Sequence, residues 1–190
     1  MHPLLYETMT NRRAALLAAT TALLTAGAVL GYQVTIGQGV AGALWIKTAL
    51  GALFYPPLAI NAWIDARRHV LLKNWTHLAG VVALIALLWM DATMWRVLPA
   101  LLVAVPMWAV SWLSRGRLMG RGDARLIVVL SLWNEVWHSW GALALVIVSF
   151  ALHTVYVVWR AFTCRITLHT RHALGPWLVA GSGLVFVFMA

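Results

Sequence analysis

Acidic residues are nearly missing from this chain: five Asp and Glu stand against 14 Lys and Arg. Charge of either sign is scarce, at 10% of 190 residues, where soluble domains carry about 25%. That scarcity excludes an ordinary water-soluble domain. Cysteine occurs once, at Cys164, which excludes an internal disulfide and any multi-cysteine zinc site. No repeat, low-complexity segment or separate soluble domain is visible. What the chain has instead is apolar: 63% of its residues, a mean hydropathy of +0.84 and twelve tryptophans. Indole rings favour the headgroup layer of a bilayer, so this composition fits a membrane protein. The net charge of +9 does not point to nucleic acid. The basic residues fall in short loops between apolar runs, where they act as topology signals and as contacts for anionic membrane lipid.

A membrane-crossing helix needs about 20 apolar residues at about 1.5 Å rise each. Seven runs qualify as candidates: Ala14–Tyr32, Val40–Ile64, Trp75–Met90, Trp95–Leu113, Ala124–Val136, Trp140–Phe162 and Leu174–Met189. The expected fold is therefore an all-α, polytopic transmembrane bundle. Residues 1–41 hold a tail and the first helix, and residues 42–190 form the membrane domain. Pro56-Pro57, Pro99 and Pro106 fall inside runs and predict kinks. Arg12 and Arg13 before an apolar run, with Ala26-Gly27-Ala28 beyond it, also fit a cleaved signal peptide. The run's length and the spans that follow favour a retained helix.

The loops orient the bundle. With the N-terminus in the cytoplasm, 12 of the 14 basic residues fall on the inside. Arg96 lies outside, and Lys47, near the outer end of the second run, is expected to snorkel to the surface.

The five acids then separate. Glu7 is in the N-terminal tail, while Asp91 and Glu135 read as outside-facing polar residues. Asp65 ends the second run and Asp123 precedes the fifth, so both reach the cytoplasmic interface with two spans between them. Either could be a helix cap or a partner of nearby arginines. Asp123, however, closes Gly120-Arg121-Gly122-Asp123. Alternating glycines there predict a tight turn with positive φ that fixes the carboxylate, with the helix N-terminus favouring its ionised form.

Other polar residues offer less. His69, His77, His153, His169 and His172 read as loop or interface histidines, since no third ligand joins His169 and His172. Cys164 is expected to be inert. Trp133, Trp137 and Trp140 read as an aromatic belt.

These segments resemble the type IV prepilin peptidase family. The resemblance rests on Ile64-Asp65-Ala66-Arg67-Arg68 with its basic loop to Asn74, on Gly120-Arg121-Gly122-Asp123-Ala124-Arg125-Leu126, and on Arg171-His172-Ala173-Leu174-Gly175-Pro176-Trp177, across residues 42–190. It implies a membrane aspartic endopeptidase with catalytic Asp65 and Asp123. Gly120, Gly122 and Arg125 would support the motif, and Asn74, Gly175 and Pro176 would shape the loops or the substrate path. The implied substrate is a prepilin, Flp pilin or pseudopilin whose short basic leader precedes an apolar helix. No cofactor or metal is implied. Two departures stand out: Leu72-Lys73-Asn74 replaces the frequent Ile-Pro-Asn, which loosens the expected loop geometry, and Arg125 replaces the usual lysine. With one cysteine and no cysteine-rich insert, the chain resembles a short, peptidase-only form. A presenilin-like peptidase shares Gly-x-Gly-Asp but has tyrosine where this chain has Ile64. The competing reading is a non-catalytic transporter or assembly subunit whose two Asp cap helices or pair with arginines.

Overall fold

The computed structural model describes residues 10–35, 42–90, 94–163 and 173–188. Glu7, Asp91, Cys164, Arg165, His169, Arg171 and His172 lie outside the described residues. The described chain is all-helical, with one helix at each of the seven apolar runs. These are α1 (Asn11–Thr35), α2 (Gly42–Arg68), α3 (Lys73–Trp89), α4 (Met94–Leu113), α5 (Arg121–Trp137), α6 (Gly141–Thr163) and α7 (Gly175–Phe188). The helices run through Pro56-Pro57, Pro99 and Pro106. By length and composition, two helical stretches are long and apolar enough to cross a membrane: Asn11–Gln33 and Gly141–Thr163.

The helix ends follow their local chemistry. Thr10 caps α1, accepting the N–H of Arg13 on its hydroxyl at 3.4 Å. α2 overshoots its apolar run by one turn, because Arg67 and Arg68 lie where the negative end of the helix dipole favours cations. Glu135 caps α6: its carboxylate accepts the N–H of Trp140 at 2.9 Å and of Ala142 at 3.1 Å. Glu135 is therefore buried between α5 and α6 rather than outside-facing, held by two orphan donors of a helix start.

On α3 and α4, side-chain size is distributed the reverse way from a soluble bundle. On α3 the buried positions are Thr76, Ala79, Ala83 and Ala86, while Leu88 is 80% exposed and Leu78, Val81, Leu84 and Ile85 also face outward. On α4, Ala100 and Ala104 are buried, and Leu101, Leu102 and Val105 are exposed. Small residues inside let helix backbones approach, and large apolar residues outside suit hydrocarbon. The glycines of α7 show the same close packing, since a Cβ on Gly181 would overlap the Ser149 side chain of α6.

The centre joins α2, α5 and α7. Phe54 and Trp133 stack at 4.0 Å and 6°, and Phe186 closes on Trp133 at 5.2 Å. The Tyr55 hydroxyl donates to the Ser182 carbonyl at 3.0 Å and accepts the Trp133 indole N–H at 3.2 Å. Trp133 is thus a core residue rather than part of an interfacial belt. Trp137 is half-buried against it, and Trp140 alone of the three is mostly exposed. Lys47 does not snorkel either. It is buried, with Nζ 3.4 Å from His138 Nε2 and 5.0 Å above the Phe186 ring.

Candidate active site

Asp65 lies on α2 one turn before its end. The helix stops at His69, which takes the left-handed conformation (φ 53°) while its N–H bonds the Asp65 carbonyl at 2.8 Å. The chain then turns back toward α3. Asn61, fully buried one helical turn before Asp65, ties down that turn. Its side-chain carbonyl accepts the Leu72 N–H at 2.8 Å, and its amide donates to the Thr76 hydroxyl at 3.0 Å. Leu72 is extended (φ −79°, ψ 125°) and Lys73 is the first residue of α3. That is the backbone a residue before proline holds, with proline's favoured first-turn position following it. The missing proline therefore leaves the loop shape in place, with Asn61 supplying the restraint.

Asp123 is the third residue of α5 rather than its cap; the cap is Gly120. Its carboxylate reaches back to the Gly120 N–H, the half of a capping box that an acid at this position makes. The expected positive-φ glycine turn is not what forms. Gly120 has φ −60°, Gly122 lies inside the helix, and Gly116 is the glycine with positive φ among the described residues. The two motif glycines serve close approach instead. A Cβ on Gly120 would lie 2.9 Å from Asp123 Oδ2, and one on Gly122 would lie 2.9 Å from Leu71 Cβ.

Gly175 completes the arrangement. It starts α7, and its N–H, an orphan donor of that first turn, bonds Asp65 Oδ2 at 3.1 Å. A Cβ there would come within 2.6 Å of the same oxygen, so only glycine permits the contact. Leu71 is wedged between the two acid-bearing supports, against Gly122 on one side and Gly175 on the other. Each aspartate is thus held at a helix N-terminus, and one leucine spaces them.

Both aspartates line one open cleft of about 390 Å³. His69 joins them from the end of α2, Arg117, Leu118 and Met119 from the α4–α5 connection, Phe150 and His153 from α6, and Leu174 from the start of α7. Asp65 is buried and Asp123 half-buried. Burial pushes the Asp65 carboxyl up, against the Gly175 N–H and the His69 charge. Burial and then the charge of Asp65 push Asp123 up to about 6, against the Gly120 N–H. The helix N-terminus favours the ionised form of Asp123, but desolvation and the second carboxylate push the other way and outweigh one backbone donor. Arg67 lies over the Trp63 ring at 4.6 Å.

The remaining motif residues divide. Pro176 sits in the first turn of α7 beside Gly175. Asn74 is exposed in the first turn of α3 and does not line the cleft. Arg125 faces a different recess, with Trp108, Ser111, Trp112 and Arg121. Asn61 and Leu71 were missed by sequence reasoning. A lone amide in an apolar run, four residues before Asp65 and hence on its face, was the available signal for Asn61. Leu71 carries none. His69, in the loop after α2, and His153, on α6, border the acids in the cleft. Among the described residues, no three His, Cys, Asp or Glu side chains gather as a metal site.

Asp65, buried, and Asp123, half-buried, line one cleft and influence each other electrostatically. Residues 52–158, more than half of the chain and including both aspartates, match the type IV leader peptidase family. The chain belongs to that family, and is accordingly a membrane protein of a peptidase class. Comparison with curated proteins and with solved structures gives no match.

Proposed function

We propose that the chain is a multi-pass inner-membrane aspartic endopeptidase. It removes the short basic leader of a prepilin, Flp pilin or pseudopilin at the cytoplasmic face, with Asp65 and Asp123 as the working pair. The observation that carries this reading is the convergence of the two acids in one open cleft. Caps alone would not need to share a cleft. Lipid-facing leucines around small buried residues support seven spans, and the inside bias of the basic residues supports the cytoplasmic site.

The chemistry follows from one shared proton. Two close carboxylates do not both ionise cheaply, so the pair keeps a proton toward neutral pH. His69 stabilises negative charge on Asp65, while Asp65 itself disfavours charge on Asp123. One carboxylate of the pair takes the proton of the attacking water, and the other, protonated, donates toward the scissile carbonyl and then to the leaving nitrogen. The titration belongs to the pair.

Co-expression with a prepilin-type precursor, followed by N-terminal sequencing of the membrane product, tests the reading. The expected result is one cut between the basic leader and the apolar helix. An uncut precursor beside a folded, membrane-inserted protein contradicts it.

A further inference from the structure

Arg125 occupies the motif position of a lysine, yet it lies away from the acids. With Arg121, Ser111, Trp108 and Trp112 it lines a recess of about 220 Å³ between α4 and α5. An adjoining recess of about 410 Å³ adds Arg115 and Leu113. Neither lining includes an acidic side chain among the described residues. Arg121 and Arg125, four apart, share a face of α5.

An apolar stripe leads to this basic recess along α4. Leu101, Val105, Trp108 and Trp112 recur at helical spacing, and each is between 44% and 63% exposed. At 1.5 Å per residue the stripe is roughly 16 Å long. Three guanidinium groups at the end of an exposed hydrocarbon track suit a molecule with an anion at one end and an acyl chain at the other. The Ser111 hydroxyl is committed to the Met119 carbonyl at 3.0 Å, so the arginines carry the recognition. A guanidinium fork matches phosphate oxygens, and indole rings sit at headgroup depth.

We infer that the Arg121–Arg125 recess binds the phosphate of an acidic phospholipid whose acyl chain lies along the α4 stripe. Free phosphate would engage the arginines and leave the stripe uncovered, so the stripe selects lipid. The consequence for activity rests on the proposed role of Asp123. Arg121 and Arg125 bracket that residue on the first turns of α5, and a bound headgroup fixes the helix end that carries the acid.

The test uses the full chain in phosphatidylcholine vesicles, reading tryptophan quenching by brominated phosphatidylglycerol against brominated phosphatidylcholine. The wild type is expected to show an excess with phosphatidylglycerol. Arg121→Gln/Arg125→Gln removes it, as local enrichment of acidic lipid falls roughly 30-fold. Trp108→Phe/Trp112→Phe also removes it, with the arginines intact. Arg67→Gln/Arg68→Gln, on another loop, leaves it. Equal quenching by the two lipids in the wild type, or an excess that survives the Arg121/Arg125 change, overturns the site. Competition by inorganic phosphate that abolishes the excess assigns the recess to a free anion and overturns the lipid. Quenching needs no turnover. An excess without precursor cleavage therefore counts against the peptidase reading alone, and cleavage without an excess counts against the lipid site alone.

Discussion

At one end of the bundle, Glu135 gives both carboxylate oxygens to the backbone N–H groups of Trp140 and Ala142. At the other, Asp65 accepts Gly175 and Asp123 accepts Gly120, and both face an open cleft. All three acids meet helix starts. Among the described residues, Glu135 alone of the three has each oxygen committed to an N–H, and it closes a turn. The aspartates line one cleft, and Asp65 influences Asp123 electrostatically. A cap and a proposed catalytic acid can therefore share the same first contact, and what separates them is what the rest of the carboxylate faces.

Mutations should widen this contrast. Asp65→Asn or Asp123→Asn is expected to cut precursor cleavage by about 10²–10⁴-fold, the range for removing an acid or base. Glu135→Gln should leave the cleavage rate of the folded protein near wild type while lowering stability by ~1–2 kcal/mol through the lost cap. Comparable activity losses at the two ends would erase the distinction.

Gly175→Ala tests the geometry within the acid end. Its Cβ would press on Asp65 Oδ2. Displacing the carboxylate by about 1 Å is expected to lower kcat by roughly 10²-fold, with KM little changed. Asn61→Ala releases the Leu72 turn and the Leu71 wedge. A loss of about 1–3 kcal/mol in stability is expected from the unsatisfied Leu72 N–H, together with a smaller fall in kcat. Unfolding midpoints and steady-state kinetics separate the two effects.

The pH dependence carries a sign. Asp123 holds its proton to about 6 in the folded chain, against an ordinary value of 3.8. Cleavage is expected to fall as pH rises through 6, when the shared proton is lost. Stability moves the same way. The raised carboxyl is fully stabilising below 3.8 and loses that contribution as pH rises through about 6. Asp123→Asn should therefore raise the unfolding midpoint at neutral pH and leave it unchanged at pH near 3.8. A midpoint shift that is the same at both pH values contradicts the assignment.

Much of this was legible in the sequence, because hydrocarbon-length runs and loop charges obey coarse rules. All seven helices fall on the seven runs, with ends displaced by a few residues where capping, rather than hydropathy, sets the boundary. Asp65 and Asp123 stood out because acids are so rare here. Lys47, Trp133 and Glu135 were misplaced for one shared reason: hydropathy locates a residue along the bilayer normal but not around the helix. Each of the three turns inward to a partner on another segment. The motif glycines were read for backbone freedom when the fold uses their missing side chains. Leu71 is an ordinary leucine whose role depends on two glycines more than 50 and 100 residues away, and nothing local announces it.

We propose that Asp65 and Asp123 act as one unit. This is tested most directly by the cleavage rate of a co-reconstituted prepilin-type precursor with Asp65→Asn, Asp123→Asn and the double variant. Each single change is expected to cost about as much as both together, as for catalytic groups that work jointly. Substantial cleavage in either single variant, or losses that multiply in the double variant, would contradict it.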